Sequence, residues 1–158
     1  MSEGVNIQVE RIFISPGHNF FGHHGSVAGE FPTVEVSEIE CVPGKGLVGD
    51  RFYGFKENYK GQITFFAAEV FDAICHQLAV NGKTAGVTRR NVITRGVDLN
   101  TLVGKQFTVQ GVEFEGMAQC SPCHWMDEAI APGAEAALQG RGGLRARILT
   151  GGLLRAGA

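Results

Sequence analysis

Apolar residues alternate with polar ones in several short stretches of this chain, which predicts β-strands. The predicted strands cover residues 5–14, 33–42, 63–66, 91–94, 105–109, 112–117 and 144–149. The last is the cleanest, because Leu144, Ala146 and Ile148 alternate with two arginines. In the second strand the apolar phase slips between Val36 and Ile39, which predicts a β-bulge. The chain is therefore expected to be mostly β.

One stretch has the period of an amphipathic helix instead. Apolar residues recur at intervals of three and four between residues 67 and 78, and Asn81-Gly82 supplies a stop. Two shorter helical segments are predicted, one capped by Asp98 and one by Asp127. Residues 15–29 are predicted to form a loop rich in Gly and His. The expected fold class is mostly β with a few helices (α+β), and closure into a barrel would remove exposed strand edges.

Length and composition limit the possible classes of protein. The chain has 158 residues, 44% hydrophobic and 19% charged, so a single packed domain over residues 1–158 is expected. No run approaches the roughly 18 apolar residues of a membrane-spanning helix. The net charge of −2 gives no basic excess for nucleic acid. No export signal is visible, so we expect a cytoplasmic protein without nucleic-acid or membrane partners.

Arginine dominates the positive charge. Nine of the 14 cationic residues are Arg, and seven of them lie in the C-terminal half: Arg89, Arg90, Arg95, Arg141, Arg145, Arg147 and Arg155. The planar guanidinium group matches carboxylate and phosphate. Each of these residues taken alone is most simply a solvated surface charge. As a set, they indicate a small anionic ligand.

A glycine-rich loop precedes two charged residues. Residues 44–49 spell GxGxxG, the pattern of dinucleotide-binding loops. That pattern needs a long helix after the loop, and none is predicted here. The segment is better described as a glycine loop that carries Asp50 and Arg51.

Cys120-Ser121-Pro122-Cys123-His124 holds the densest chemistry of the chain. The spelling CxxCH fits haem attachment, half of a zinc site to which His23-His24 would contribute, or a redox dithiol. A tight Pro turn with two buried thiols is the structural alternative. Cys123 precedes a predicted helix start and adjoins His124, which favours a thiolate, whereas nearby carboxylates oppose it. Such a thiolate would be a good ligand for a soft metal.

Several short motifs, taken in order and spacing, resemble the MOSC domain family, named after the C-terminal domain of molybdenum cofactor sulfurases. The similarity extends over nearly the whole chain and is greatest to small bacterial members. The matching stretches are Gly46-Leu47-Val48-Gly49-Asp50-Arg51; Gln62-Ile63-Thr64; Arg89-Arg90-Asn91-Val92-Ile93; Gly96-Val97-Asp98-Leu99; Leu102-Val103-Gly104-Lys105; Cys120-Ser121-Pro122-Cys123; and residues 140–149.

This resemblance implies a MOSC-like β-barrel that binds molybdenum cofactor (molybdopterin). It implies that a cysteine of the CxxC segment ligates molybdenum or carries sulfur, with Cys123 the first choice and Cys120 the second. The expected cofactor-binding residues are Asp50, Arg51, Arg90, Asn91, Arg141 and Arg147. Residues 155–158 end earlier than in related members, so the last barrel strand is expected to be truncated.

The resemblance leaves three functions open. The first is a molybdenum-dependent reductase of N-hydroxylated compounds, which needs an electron-donor protein. The second is a persulfide carrier for assembly of metal–sulfur cofactors, which needs a sulfur-donor protein. The third is a ligand-binding module without catalysis.

Overall fold

The computed structural model describes residues 6–15 and 33–157. Nearly all of the loop predicted at residues 15–29, together with His23-His24, lies outside the described residues. The strands are β1 (Gln8–Ile14), β2 (Val34–Val36), β3 (Glu38–Val42), β4 (Gly46–Leu47), β5 (Ile63–Ala67), β6 (Val92–Arg95), β7 (Gln106–Val109), β8 (Val112–Gln119), β9 (Leu144–Ile148) and β10 (Gly152–Arg155). The α-helices are α1 (Ala68–Gln77), α2 (Trp125–Ala129) and α3 (Ala134–Ala137), and 3₁₀ turns span Ala85–Thr88 and Leu99–Leu102.

The strands form two sheets. The larger has the order β2-β1-β6-β5-β9-β8-β7, and the smaller has the order β10-β3-β4. Only the β5–β6 pair is parallel among these ladders. The prediction of a mostly β chain with a few helices is confirmed. Within residues 6–15 and 33–157 the two sheets do not close into a barrel, so the coarser α+β description is the one that holds.

Two apolar clusters cover opposite faces of the larger sheet. Consecutive strand residues point to opposite faces, so Phe65 enters one cluster and Phe66 the other. The first cluster joins both sheets and contains the contacting rings of Phe65, Phe107 and Phe114, whose centroids are 5.3–5.6 Å apart. The second lies under α1, α2 and α3. The helices therefore pack on one face of the sheet.

Most predicted elements are confirmed. The amphipathic pattern at 67–78 becomes α1, and the Asp98 side chain accepts a hydrogen bond from the Asn100 backbone N–H. The predicted hairpin forms from β7 and β8, with Gln110 and Gly111 both at positive φ. In β9 the alternation of buried residues with half-buried arginines is as expected. No helix in the described part of the chain is both long enough and apolar enough to span a membrane.

Two predictions about local structure are wrong, and one strand was not predicted. Residues 33–42 do not form one bulged strand. The strand is interrupted at Ser37, so that β2 belongs to the larger sheet and β3 to the smaller. Asp127 does not cap α2, which begins two residues earlier; its carboxylate instead accepts from the backbone N–H of Glu135 in α3 at 2.8 Å. The sequence pattern did not predict β10, which pairs with β3. This strand is short and lies in a glycine-rich stretch, so it shows no clear alternation of apolar and polar residues. Its register is defined by its pairing with β3.

Candidate functional site

A cavity of about 340 Å³ opens where the turn before β6 meets β5, β9 and the segment after β8. Its lining residues are Arg51, Phe52, Tyr59, Gly61, Thr64, Arg89, Arg90, Cys120, Ser121 and Arg145. We call this the cationic cavity. Four of the ten lining residues are arginines from three separate parts of the chain, which the fold brings together.

The arginines are crowded and partly removed from water. Burial and the nearby charge of Arg51 lower the pKa of Arg89 to about 10, although Asp50 opposes both effects. Burial likewise lowers the pKa of Arg51, which Asp50 raises and Arg90 lowers. Both pKa shifts result mainly from burial, and repulsion between the arginines adds to them. An anionic group in the cavity would relieve that repulsion.

Asp50 and Asn91 hold the residues that line the cavity. Asp50 is buried, and its carboxylate accepts from the Ser15 backbone N–H at 2.9 Å and from the Phe52 backbone N–H at 3.3 Å. The Asn91 amide accepts from the Thr64 backbone N–H at 3.0 Å and donates to the Phe13 carbonyl at 3.1 Å. Asn91 therefore ties β1 and β5 to the turn before β6. Both residues support the arginines beside them in sequence.

The aromatic residues of the segment after β4 form one wall. The Arg51 guanidinium lies 4.6 Å from the centroid of the Phe52 ring. The Arg145 guanidinium donates to the Tyr59 hydroxyl at 3.1 Å and lies 5.4 Å from that ring's centroid. Cation–π contact of this kind fixes the planar guanidinium groups. The aromatic rings thereby help to orient the guanidinium donors.

Cys120 lies in the wall of the cavity. It is buried, and its backbone N–H donates to the Gly143 carbonyl at 2.8 Å. A Cβ on Gly142 would lie 2.3 Å from the Cys120 carbonyl oxygen, so only glycine allows this close approach. The Arg90 Nε–H donates to the Gly142 carbonyl at 3.0 Å, so the backbone segment that pairs with Cys120 also holds the arginine. Burial raises the pKa of Cys120, and Arg90 and Arg145 oppose that rise.

Cys123 is placed differently. It is half-buried, and its carbonyl accepts from the Met126 backbone N–H at 2.9 Å as α2 begins. Among the described residues, Cys120 and not Cys123 belongs to the lining of the cationic cavity. Both thiols are free.

Two predicted arginines lie elsewhere. Arg147 forms an ion pair with Glu115, and its Nη1 lies 3.5 Å from the Asn58 side-chain oxygen. The Arg141 Nε–H donates to the Ala137 carbonyl at 3.0 Å, which ties this residue to α3. Neither is among the described residues that line the cationic cavity. The structure thus unites Arg51, Arg90 and Cys120, with Asp50 and Asn91 supporting them.

Sequence reasoning missed several lining residues. Arg89 directly precedes Arg90, and Arg145 stands on the polar face of β9, so both were visible as arginines but not as cavity residues. Phe52 and Tyr59 belong to an irregular segment whose path no periodicity reveals. The observation that β5 and β9 are neighbours would have brought Thr64 and Arg145 together, because they are register partners.

Comparisons with known proteins give one family match and several proteins of similar fold. The family model for the MOSC domain matches residues 17–158. The YuaD protein from Bacillus subtilis has a similar structure: TM-score 0.73, 16% identity, 95% of this chain and 91% of that chain covered. YiiM from Geobacillus stearothermophilus gives a TM-score of 0.67 at 15% identity, with 97% and 73% covered. YiiM from Escherichia coli gives a TM-score of 0.63 at 15% identity, with 94% of this chain and 66% of that chain covered. A search of the curated proteins finds no match. At these identities the structures show the shared fold.

Proposed function

The chain belongs to the MOSC domain family, and from this premise we propose that its cationic cavity binds a molybdenum–pterin cofactor (molybdopterin). The family's association with that cofactor motivates the proposal, and the cavity supports it chemically. The pterin carries a phosphate, and molybdenum is a centre that accepts thiolate sulfur. The cavity offers guanidinium groups for the first and a cysteine for the second.

One observation carries the proposal: the convergence of Arg51, Arg89, Arg90 and Arg145 around the wall that holds Cys120. The buried carboxylate of Asp50 offsets part of the charge of Arg51 and Arg89. Four arginines that line one cavity favour an anion over a neutral ligand. In this proposal the arginines hold the phosphate, Phe52 and Tyr59 flank the ring system, and a cysteine faces the metal.

The choice of thiol stays open between Cys123 and Cys120. The family resemblance favours Cys123, whereas the cavity lining favours Cys120. The two are joined by Ser121-Pro122, and Pro122 restricts the residue before it to extended conformations. A single ligand needs only one of these thiols at the metal. The second then supports the turn.

The reaction proposed for the loaded protein is reduction of N-hydroxylated compounds. When bound, the molybdenum cofactor supplies two-electron redox chemistry. Conversion of an N–OH group to N–H takes up two electrons and two protons and releases water, so an electron-donor protein is required as a partner. The arginines would bind and orient the cofactor, and the aromatic wall would limit access of water. We propose the cytoplasm as the compartment, where four free thiols are maintained.

A second candidate function is a persulfide carrier, favoured by the partial exposure of Cys123. A half-buried thiol is within reach of a donor protein, whereas a buried thiol is not. In that reaction the Cys123 thiolate attacks the outer sulfur of a donor persulfide. A new S–S bond forms, and the donor leaves as a thiolate. No metal is needed for this step.

The test is to purify the protein from a host that makes molybdenum cofactor. Bound molybdenum is measured by mass spectrometry of the metal, and pterin by fluorescence after acid oxidation. Both at a ratio near one per chain support the cofactor proposal. Persulfide on Cys123 without metal supports the sulfur-carrier function. If neither cofactor nor persulfide is found, the ligand-binding module without catalysis is the remaining function.

Matched cysteine variants identify the thiol. Cys120→Ser, Cys123→Ser and the control Cys75→Ser, which alters a cysteine of α1, are loaded in parallel. Loss of molybdenum in one of the first two variants names the ligand. Equal retention in all three, with wild-type unfolding, would contradict a cysteine ligand.

A further inference from the structure

Residues 45–60, which include β4 and the turns that lead toward β5, carry a large share of the exposed positive charge. Three of the five lysines of the whole chain lie here, and the structure exposes all three: Lys45, Lys56 and Lys60. Within residues 45–60 the one exposed carboxylate is that of Glu57, since Asp50 is buried. We call residues 45–60 the lysine segment. Its solvent-facing charge is positive, although the chain has a net charge of −2.

Apolar surface is exposed among these lysines. Six large apolar residues are exposed in the described part of the chain, and three of them belong to the lysine segment: Val48, Tyr53 and Phe55. The Tyr53 side chain is 40% exposed and Val48 is 43% exposed. Contact surfaces between proteins are enriched in aromatic residues at their centre and are polar at their rim. The lysine segment therefore has the composition of a surface that contacts another protein.

Backbone hydrogen bonds fix the shape of this surface. The Gly54 N–H donates to the Lys45 carbonyl at 3.0 Å, and the Tyr53 N–H donates to the Asp50 carbonyl at 3.0 Å. The Lys45 ammonium lies 6.0 Å from the centroid of the Tyr53 ring. A surface that is already ordered loses less conformational entropy when a partner binds. The turn thus presents a cation and an aromatic ring together.

The lysine segment also forms part of the cationic cavity. Arg51, Phe52 and Tyr59 belong to the segment and line that cavity. The Lys56 ammonium lies 5.3 Å from the centroid of the Tyr59 ring. The hydroxyl of the same tyrosine accepts from Arg145 on β9. A protein bound to the lysine segment would therefore lie beside the cavity.

We propose that the lysine segment is the docking surface for an acidic electron-donor protein. The charge of this partner follows from complementarity, because lysines attract a surface rich in Asp and Glu and accelerate the encounter. Its redox character follows from the position of the segment, because electron transfer falls steeply with distance and the proposed reduction needs two electrons at the cavity. A one-electron donor would be oxidised in each of two successive encounters. Only the redox character rests on the proposed function, since docking itself needs no cofactor.

An anionic membrane is the alternative partner for exposed lysines and aromatic residues. Segments that lie on a membrane surface are typically amphipathic helices with one apolar face. Residues 45–60 contain no helix, and Glu57 is exposed among the lysines. These two observations favour a protein partner over a membrane. The experiment below includes lipid vesicles for this reason.

The experiment measures binding of an oxidised plant-type two-iron ferredoxin, chosen as the probe for its acidic surface, to the full chain without cofactor. Association and dissociation rates are recorded with a surface biosensor. At about 10 mM ionic strength the Debye length is about 30 Å, so the attraction between the charges is only weakly screened. We expect saturable binding under these conditions. It should weaken steeply toward about 1 M salt, where the Debye length is about 3 Å.

Matched double variants locate the surface. Lys45→Gln combined with Lys60→Gln removes two charges from the lysine segment and alters no residue that lines the cavity. This variant should associate about tenfold more slowly at low salt, the lower end of what electrostatic steering provides, with dissociation nearly unchanged. The control, Lys105→Gln combined with Arg155→Gln, removes two exposed charges elsewhere and should change association by at most about twofold. Tyr53→Ala should weaken binding about tenfold, equivalent to about 1.4 kcal/mol, mainly through faster dissociation.

Three results would overturn the proposal. The first is an absence of saturable ferredoxin binding at low salt. The second is equal slowing in the two double variants, which would show attraction by net charge without a defined surface. The third is binding to vesicles of mixed phosphatidylglycerol and phosphatidylcholine that is lost in the variant altered at Lys45 and Lys60, which would assign the segment to a membrane. None of these measurements uses the cofactor, so docking and the molybdenum proposal fail separately.

Discussion

Asp50→Asn tests whether the cationic cavity is built for an anion. The substitution keeps the size of the side chain and removes the buried negative charge that opposes Arg51 and Arg89. An asparagine retains one acceptor oxygen, so the bond from the Ser15 N–H at 2.9 Å can persist. The N–H of Phe52, now 3.3 Å from a carboxylate oxygen, would then face an amide N–H.

The cost follows from these contacts. A hydrogen bond to a charged acceptor contributes about 1.5–3 kcal/mol, and a buried donor left unpaired costs about 1–3 kcal/mol. One such bond is lost and the arginines lose their counter-charge, so we expect destabilisation of about 2–4 kcal/mol. Urea unfolding followed by circular dichroism measures it. Asp98→Asn is the control, because asparagine caps a helical turn about as well as aspartate.

Pyrophosphate should reverse part of this loss. A ligand that binds only the folded state stabilises it by about 2.7 kcal/mol at a concentration 100 times its Kd. Because Asp50→Asn lacks the carboxylate that offsets the arginines, this variant should bind pyrophosphate more tightly than wild type. The difference in free energy of unfolding between the two proteins should therefore become smaller as pyrophosphate is added. Asp98→Asn corrects for general salt effects. A loss under about 0.5 kcal/mol, which is typical of an indifferent surface site, would refute the electrostatic reasoning, as would equal stabilisation of all three proteins.

Three further predictions concern single positions. Gly143→Ala should lower the free energy of unfolding in urea by roughly 2–4 kcal/mol, because φ is +112° and a Cβ would lie 2.5 Å from the Phe65 carbonyl oxygen. The control Gly140→Ala, where a Cβ would meet nothing within 4 Å, should cost about 1 kcal/mol. Equal losses in the two variants would contradict the importance of this contact. Arg145→Ala should abolish pyrophosphate binding measured by calorimetry, and Arg147→Ala should keep it while costing at most about 1 kcal/mol of stability, since its ion pair is partly exposed; the reverse pattern would place Arg147 in the site. Burial raises the pKa of Cys41 from 9.0 to about 12, so the stability that this neutral thiol contributes is complete below pH 9 and is lost as the pH rises toward 12; Cys41→Ala should unfold with a flatter dependence on pH in that window, and an unchanged slope would refute the assignment.

The sequence predicted those parts of the fold whose signal is local. Helix α1 and the hairpin around Gln110 each carry their own periodicity and turn residues. Strand β10 escaped prediction because it is short, glycine-rich and defined by its pairing with β3. Residues 33–42 look like one continuous strand in sequence, but Ser37 separates β2 from β3. The two strands belong to different sheets because β2 pairs with β1, whereas β3 pairs with β10 and β4.

The site divides in the same way. Arg51, Arg90 and Cys120 could be named from motifs, because their neighbours in sequence mark them. Arg145 could not be told from Arg147, since both stand on the same face of β9 and differ only in what lies opposite. Arg145 meets the Tyr59 hydroxyl, whereas Arg147 meets Glu115. Arg147 is thus paired with a carboxylate of the neighbouring strand, whereas Arg145 lines the cavity, where it can contact a ligand.

The cationic cavity has an energetic consequence for the folded protein. Burial, together with repulsion between the arginines, lowers the pKa of both Arg51 and Arg89, so keeping them charged costs free energy in the folded protein. Asp50 offsets that cost only in part. A bound anion would offset more of it. Asn91 contributes by fixing the backbone beside Arg89 and Arg90, because its side chain forms hydrogen bonds to β1 and β5. These bonds restrict how far the two arginines can move out of the cavity toward solvent.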